Sequence, residues 1–180
     1  KLKAVMGTSP DDDLLDHVRR IYGDRAMAVR RDERLALPNS YLGETLRHAL
    51  ETYEAGHPPV DAVLQLSIES PFRAARHIDA AIEVMELFES DAVVGVRPEN
   101  DVFYQHNGSG LSPLRQSAFL RLEQEEVYRA AGQMRLLGRK CLLEGSGIPT
   151  GRIGHVVVDQ RAALRLRGRY DWFVAEAIID

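Results

Sequence analysis

The sequence predicts one α/β domain built on a doubly wound, mostly parallel sheet. The first 96 residues alternate short apolar runs with amphipathic stretches, which is typical of strand–helix–strand units. The runs Ala62–Leu66 and Ala92–Val96 are almost wholly apolar, as expected for strands that helices cover on both faces. A chain of 180 residues with 44% hydrophobic and 28% charged residues is long enough for one such domain.

The predicted elements of the first half alternate without exception. The aspartates Asp11–Asp13 open the first helix, where carboxylates interact favourably with the positive end of the helix dipole, and Gly23 ends it. We expect a solvated helix start rather than a metal cluster, because consecutive helical side chains point in different directions. The predicted order is strand Leu2–Met6, helix Asp11–Tyr22, strand Ala26–Val29, helix Leu42–Ala55, strand Ala62–Leu66, helix Arg76–Phe88 and strand Ala92–Val96.

The second half predicts a hairpin, further strands and a terminal helix. Residues 102–111 contain an aromatic pair and then Asn107-Gly108-Ser109-Gly110, which is typical of a strand, a turn and a return strand. The remaining predicted elements are a partly helical stretch at Leu120–Tyr128, strands at Gly132–Leu137 and Val156–Val158, and a helix over Asp171–Ile179.

Charge and composition exclude several classes of protein. The 23 basic and 27 acidic residues give a net charge of −4, which disfavours a general nucleic-acid binder. No run of 18 apolar residues exists, so we expect no transmembrane helix and no membrane role. The single cysteine, Cys141, excludes an intrachain disulfide and suits a cytoplasmic protein. We expect His48, His77 and His106 at the surface, because none has an acidic partner at a useful spacing.

Polar side chains follow the predicted parallel strands, where open α/β sheets bind their ligands. The loops concerned are 7–12, 30–40, 67–73 and 97–101. Their hydroxyls, arginines and one carboxylate suit an anionic, oxygen-rich ligand such as a sugar acid or a nucleotide. These side chains are Thr8, Ser9, Arg30, Arg31, Ser40, Glu69, Ser70 and Arg73.

The segment Ser67-Ile-Glu-Ser-Pro-Phe-Arg73 lies between a predicted buried strand and a predicted helix. Pro71 favours a first helical turn, so Ser70 is a candidate N-cap, and free backbone N–H groups there are a candidate anion site. Arg73 is then either an anion-binding residue or a surface side chain beside a capped helix.

This segment resembles a loop of the acylneuraminate cytidylyltransferases, the CMP-sialic acid synthetases, in which Gln-Pro-Thr-Ser-Pro-Leu-Arg follows a buried strand. Other segments resemble the family in the same order along nearly the whole chain. Val5-Met-Gly-Thr-Ser9 is similar to the family's second strand, and Tyr22–Asp24 together with Val29–Ala36 is similar to the family's stretch "yGa…RpeeLA". Arg121 together with Tyr128–Gly132 is similar to "Rrqd…Y.vNGaiY", and Asp171–Glu176 is similar to the terminal "Dw..AE".

The resemblance implies a single cytidylyltransferase-like domain over residues 1–180, with a three-layer nucleotide-diphospho-sugar transferase-like fold. A hairpin arm at about 98–121 would reach the partner subunit of a homodimer. The implied reaction joins CTP to a nonulosonic, sialic-acid-like sugar: its anomeric hydroxyl attacks the α-phosphate, and Mg²⁺ neutralises the leaving pyrophosphate. Arg73 and Arg121 would be the catalytic residues that orient the sugar acid. The other implied contacts are Ser67, Glu69, Ser70 and Tyr128 for the substrate and Thr8, Arg31 and Ser40 for the nucleotide.

Two departures from the family bear on the nucleotide and the metal. The family's first strand and triphosphate-binding loop have no counterpart from Lys1 onward, so we expect a preceding segment, the alternative being a reduced relative. The positions of the family's metal-binding aspartates hold Arg165 and Arg167, which cannot bind Mg²⁺. Asp159 and Asp171 are substitute ligands, and Asp171 is equally a candidate helix cap.

A third departure concerns the substrate. Ser67 and Glu69 replace the Gln and Thr of the family loop. Either Glu69 contacts sugar hydroxyls or an amine, so that the substrate differs from ordinary sialic acid, or it caps the following helix. The alternative functions are therefore a non-catalytic sugar- or nucleotide-binding relative and a cytidylyltransferase for another acid.

Overall fold

A computed structural model describes residues 2–37, 39–114, 126–145 and 147–179. Strands and helices alternate through the first half, as predicted. The order is β1 Met6–Ser9, α1 Asp12–Tyr22, β2 Met27–Arg30, α2 Leu42–Glu54, β3 Ala62–Leu66, α3 Ala75–Phe88, β4 Ala92–Glu99, β5 Tyr104–His106, β6 Leu111–Pro113, β7 Val127–Gly138, α4 Arg139–Glu144, β8 Ile153–Val157 and α5 Arg169–Ile179, with short 3₁₀ turns at Gly23–Arg25 and Glu33–Ala36.

The central sheet has the strand order β3–β7–β4–β8. Strands β3, β4 and β8 run in one direction, and β7 runs antiparallel between β3 and β4. Strands β1 and β2 form a separate parallel pair, and β5 and β6 form the predicted hairpin. The predicted α/β class is confirmed, and the finer finding is that a twelve-residue antiparallel strand occupies the middle of the sheet.

Helices cover both faces of this sheet, which gives three layers. On one face Ala92 and Leu137 pack against α2 and α4, and both side chains are completely buried. On the other face their sequence neighbours Val93 and Leu136 pack against α3. Successive strand residues point to opposite faces, so a strand covered on both sides has no polar face. This explains the continuous apolar runs in the sequence.

Helix α1 begins as the aspartates predict. The Oδ1 atom of Asp11 accepts hydrogen bonds from the backbone N–H groups of Asp13 at 2.9 Å and Leu14 at 3.4 Å. Gly23, with a φ of 51°, ends the helix, and its N–H donates to the carbonyl oxygen of Arg19. The carboxylate therefore acts as a helix cap, in keeping with a solvated helix start.

Helix α3 begins at Ala75, so the predicted caps at Ser70 and Glu69 are wrong. The Ser70 side chain is completely buried in the loop before the helix. The first helical turn is instead closed by His77, whose Nδ1 accepts a hydrogen bond from the N–H of Ala74 at 3.1 Å. The expectation that His77 lies at the surface is also wrong, since only 5% of the residue is exposed.

Smaller differences concern the edges of elements. The first strand is Met6–Ser9 rather than Leu2–Met6, and Gly7 lies inside it, against Val18 of α1. In the predicted partly helical stretch Leu120–Tyr128, residues 120–125 lie outside the described residues, and the chain is already a strand from Val127. No helix in the described ranges is long and apolar enough to cross a membrane.

Candidate functional site

A pocket of about 430 Å³ lies where β4 and β8 end and β7 begins. This is the edge where the sequence predicts a ligand site, and the volume is that of a small-molecule site. Four arginines dominate its wall. The lining residues are Arg97, Arg129, Ala130, Ala131, Gln133, Gln160, Ala163, Leu164, Arg165, Arg167 and Asp171.

A bulge in β7 shapes one side of the pocket. The pairing of β4 with β7 shifts register around Gly95, so that residues 131–134 of β7 bulge out opposite it. Gly132 and Gln133 in the bulge have positive φ angles of 68° and 45°. A Cβ atom on Gly95 would lie 2.6 Å from the carbonyl oxygen of Ala131. The strands can therefore approach this closely only because position 95 is glycine.

Arg73 ties this bulge to the loop after β3. Its two terminal amino groups donate hydrogen bonds to the carbonyl oxygens of Gly132 and Ser67, each at 2.6 Å. The N–H of Ser67 donates to the carbonyl oxygen of Gln133 at 3.2 Å. Partial burial lowers the pKa of the Arg73 guanidinium below its usual range. These bonds hold the loop after β3 against β7.

Two arginines of the pocket lie opposite each other on neighbouring strands of the sheet. Arg97 of β4 and Arg129 of β7 are direct partners in the antiparallel register. Like charges directly opposite each other destabilise a strand pair. The Nε–H of Arg129 donates to the Glu99 carboxylate at 3.0 Å, and only 17% of the Glu99 side chain is exposed. Arg97 has no hydrogen bond or ion pair through its side chain with any residue that the structure describes.

The other two arginines follow β8. The Nε–H of Arg165 donates to the Glu69 carboxylate, and the N–H of Leu166 donates to the Glu69 carbonyl oxygen at 2.8 Å. Glu69 therefore joins the loop after β3 to the segment before α5. Arg167 lies two residues further on, and within the described ranges its guanidinium has no carboxylate partner.

Asp171 caps helix α5, one of the two roles predicted for it. Its Oδ2 atom accepts hydrogen bonds from the N–H groups of Gly168 and Arg167, each at 2.8 Å. The hydrogen bond from Gly168 is the main reason why the pKa of the Asp171 carboxyl is lowered, and the bond from Arg167 adds to it.

Asp159 is also held by its own surroundings. Its Oδ1 atom accepts a hydrogen bond from the N–H of Ala162 at 2.9 Å, and its Oδ2 atom accepts one from Arg76 at 2.7 Å. The bond from Ala162 is the main reason why the pKa of Asp159 is lowered, and Arg76 adds to it. His77 Nε2 lies 3.6 Å from the same Oδ2 atom.

The donor set does not fit the predicted Mg²⁺ ion. Magnesium requires several hard oxygen ligands in octahedral geometry. Asp159 and Asp171 already accept hydrogen bonds, and nowhere in the described ranges do three or more His, Cys, Asp or Glu side chains come together. The four guanidinium groups repel a cation. The pocket suits an anion.

The predicted nucleotide contacts lie on a different part of the molecule. Thr8 belongs to β1, Arg31 follows β2, and neither residue lines the arginine pocket. The Thr8 Oγ1 and Arg31 Nε atoms are buried without a hydrogen-bond partner in the described structure. The hydroxyl of Ser40 donates to the carbonyl oxygen of Leu37 at 2.6 Å.

The predicted substrate residues do not all lie in the same region of the structure. Arg121 lies outside the described residues. Tyr128 does not line the pocket. Its hydroxyl donates to Glu126, and the centroid of its ring lies 4.9 Å from that of His155. The bond to Glu126 raises the pKa of Tyr128. Among the predicted substrate contacts that the structure describes, only Glu69 binds a pocket residue through its side chain.

Sequence reasoning missed the cross-strand arginines. Arg97 stands in one of the loops singled out from the sequence, 97–101, and Arg129 stands in the segment that resembles the family. Their partnership depends on β7 running antiparallel beside β4. No local pattern predicts that pairing, because the two residues are 32 positions apart (129 − 97).

The sequence matches no protein-family model, and no curated protein matches it significantly in sequence. Solved structures do share its fold. The 4-diphosphocytidyl-2C-methyl-D-erythritol synthase of Anaerococcus prevotii DSM 20548 has a TM-score of 0.70, with 99% of this chain and 82% of that chain covered at 13% identity. A second 4-diphosphocytidyl-2C-methyl-D-erythritol synthase has a TM-score of 0.73 with the same coverage and identity.

A third neighbour is the 2-C-methyl-D-erythritol 4-phosphate cytidylyltransferase of Thermus thermophilus. It has a TM-score of 0.57 and 13% identity, with 99% of this chain and 83% of that chain covered. These structural neighbours are cytidylyltransferases. At this identity the likeness shows the fold alone, and it confirms the predicted fold class. It does not single out the sialic-acid enzymes.

Proposed function

We propose that this chain is a nucleotidyltransferase of the cytidylyltransferase type, which couples CTP to a sugar carrying an acidic group and releases pyrophosphate. The observation that carries the proposal is the arginine pocket at the carboxyl edge of the sheet. A pocket with four guanidinium groups binds carboxylate or phosphate oxygens well, because each guanidinium presents a planar fork of N–H donors. The shared fold of the cytidylyltransferase neighbours supports the reaction class.

The positions of these residues favour two separate binding regions, one at the central sheet and one at the β1–β2 pair. The arginine pocket lies beside β4, β7 and β8. Thr8 and Arg31 lie at the β1–β2 pair, and their Oγ1 and Nε atoms have no hydrogen-bond partner among the described residues. In the proposed reaction the pocket holds the acidic group of the sugar and thereby directs a sugar hydroxyl towards the α-phosphate of CTP. Such catalysis consists mainly of positioning and electrostatic stabilisation. Thr8, Arg31 and Ser40 remain the proposed nucleotide contacts, and Arg121 remains a proposed substrate contact.

The acidic group of the acceptor has two candidate forms, a carboxylate and a phosphate. The resemblance to the acylneuraminate cytidylyltransferases favours a sugar carboxylate. The name of the Thermus thermophilus neighbour describes its own acceptor as 2-C-methyl-D-erythritol 4-phosphate. Both groups present oxyanions that guanidinium can bind in a bidentate manner. The acceptor panel therefore needs nonulosonic acids in one arm and sugar or polyol phosphates in the other.

Pyrophosphate release tests the proposal. The full chain is incubated with CTP, Mg²⁺ and each acceptor in turn, and release that requires both CTP and one acceptor supports it. Arg97→Gln should then raise the acceptor KM with little effect on the KM for CTP. Arg19→Gln is the matched control, because Arg19 lies on the exposed surface of α1 and pairs with Asp16. No release with any acceptor, from a chain that melts cooperatively, contradicts the proposal.

A non-catalytic binding protein is the second candidate. The observation in its favour is that Arg165 and Arg167 line the pocket where the resemblance would place metal-binding aspartates. This candidate predicts that CTP or a sugar acid binds, as measured by titration calorimetry, without any pyrophosphate release. Binding and turnover measured on the same preparation separate the two candidates.

The homodimer also remains a proposal, and the hairpin supports it. Several large apolar side chains on or beside the hairpin are exposed, among them Phe103, Tyr104 and Leu111, with Leu111 at 69%. Exposed apolar surface of this kind is typical of interaction sites. Light scattering of the purified chain should give twice the monomer mass of 20.2 kDa, and Leu111→Asp should reduce it. A monomer at all concentrations contradicts the arm's role.

A further inference from the structure

We infer that the four arginines of the pocket bind a phosphate-type oxyanion directly, without a divalent cation. The inference deepens the proposed function, on which it rests for the identity of the site. It concerns how the site neutralises charge. The residues involved are Arg97, Arg129, Arg165 and Arg167.

The first argument is the unfavourable placement of charge. The chain as a whole carries a net charge of −4, yet it places Arg97 and Arg129 opposite each other on neighbouring strands. Among the described residues, Glu99 pairs with Arg129 alone, through one hydrogen bond that Nε–H donates. Such a pair costs folding stability unless a further negative charge lies across it. A bound oxyanion supplies that charge.

The second argument is the way in which the carboxylates hold the guanidinium groups. Glu99 accepts from the Nε–H of Arg129, and Glu69 accepts from the Nε–H of Arg165. Both contacts leave the two terminal amino groups of each arginine without a hydrogen-bond partner among the described residues. A guanidinium fixed at Nε presents its amino groups as a preorganised pair of donors. The acidic residues thus orient the arginines rather than cancel them.

The third argument concerns the chemistry of the lining. The carboxylate of Asp171 is the only acidic group in the described lining, and it accepts two backbone hydrogen bonds as a helix cap. The pocket therefore offers many N–H donors and few oxygen ligands. A phosphate group, with about two negative charges and several acceptor oxygens, matches four guanidinium groups better than a single carboxylate does. A cation that accompanied the phosphate would meet the same four positive charges.

Calorimetric titration of the full chain tests the inference, with inorganic phosphate and pyrophosphate as probes, in EDTA and again in Mg²⁺. We expect one or both of these anions to bind in EDTA, with no tightening in Mg²⁺. Arg97→Gln and Arg167→Gln should each weaken binding by about tenfold or more, as expected for charge-assisted contacts. Neither arginine has a described ion pair that the substitution would break, so both variants should fold. Arg19→Gln removes the same charge from α1 and should leave the affinity unchanged.

The probes also distinguish the source of the phosphate. Binding of inorganic phosphate, with competition from a polyol phosphate, assigns the site to the acceptor. Binding of pyrophosphate alone, with competition from CTP, assigns it to the nucleotide. Either result supports direct oxyanion binding. Binding that requires Mg²⁺, or that is unchanged in both arginine variants, overturns it. Metal-free binding without pyrophosphate release in the activity assay leaves this inference standing and removes the proposed reaction.

Discussion

Replacing Arg73 by lysine should destabilise the fold, although the charge is retained. The two terminal amino groups of Arg73 donate to the carbonyl oxygens of Ser67 and Gly132, each at 2.6 Å. A lysine ammonium is a compact donor group that does not reproduce the planar fork, so one of the two hydrogen bonds is lost. A hydrogen bond from a charged donor contributes about 1.5–3 kcal/mol. We expect Arg73→Lys to lower the free energy of unfolding by about that amount.

The expected loss is large enough to measure by thermal unfolding. For a domain of this size, about 1 kcal/mol changes the melting temperature by roughly 2–4 °C, so the variant should melt roughly 3–12 °C lower. Circular dichroism melts and urea titrations of the same samples would show whether both stability measures fall together. Arg19→Lys on exposed helix α1 is the matched control, because lysine can keep the surface ion pair with Asp16.

The result also separates two roles for Arg73. A residue that only binds the acceptor would leave the melting temperature unchanged and raise the acceptor KM. A residue that clamps the loop to β7 lowers the melting temperature even in the absence of ligand. An Arg73→Lys variant that melts within about 1 °C of the parent chain would refute the clamp, because so small a change corresponds to well under about 1 kcal/mol in a domain of this size.

Three further predictions follow from the same structure. Asp171→Asn should destabilise the chain at neutral pH and less so in acid. The pKa of Asp171 in the folded chain lies below its ordinary value of 3.8, so the stabilisation by the ionised carboxylate is present above pH 3.8 and is lost as the pH falls through the folded pKa. Thermal melts between pH 3 and 7 would show this. Gly95→Ala should cost about 1–3 kcal/mol in urea titrations, because its Cβ would lie 2.6 Å from a carbonyl oxygen, whereas Gly110→Ala, with no atom within 4 Å, should cost far less. Arg97→Thr should melt at a higher temperature than the parent chain in phosphate-free buffer, because it removes a like-charge cross-strand pair. When phosphate is added, the variant should melt at a lower temperature than the parent chain, because it binds the stabilising anion less well.

The elements of the fold could be predicted well where the pattern is local. Helix α1 was predictable from its aspartates and Gly23, and β3 from an apolar run bounded by polar residues. The strand order could not be predicted in this way. Whether β7 pairs with β3, β4 or both, and in which direction it runs, is decided by packing between distant segments. A periodic pattern contains no information on either point.

The candidate site shows the same limit in sharper form. Arg73 and Glu69 could be chosen from the sequence as charged residues at the end of a parallel strand, but their contacts could not. Arg73 binds two carbonyl oxygens of the protein, and Glu69 binds Arg165, which is 96 residues away. Residue type and loop position therefore predict which edge of the sheet carries the charges. Only the fold decides which of those charges face a ligand and which hold the loops in place.

The balance of charge in the pocket gives a physical reason for its arginines. Carboxylates that hold a divalent ion would bind an anion through that ion, so the metal would carry the positive charge. At Arg165 and Arg167 the chain itself carries that charge. Glu69 and Glu99 then serve a different purpose, because each accepts from one Nε–H and leaves the terminal amino groups without a partner among the described residues. An anion site built in this way depends on the folded positions of its arginines rather than on the concentration of a metal ion.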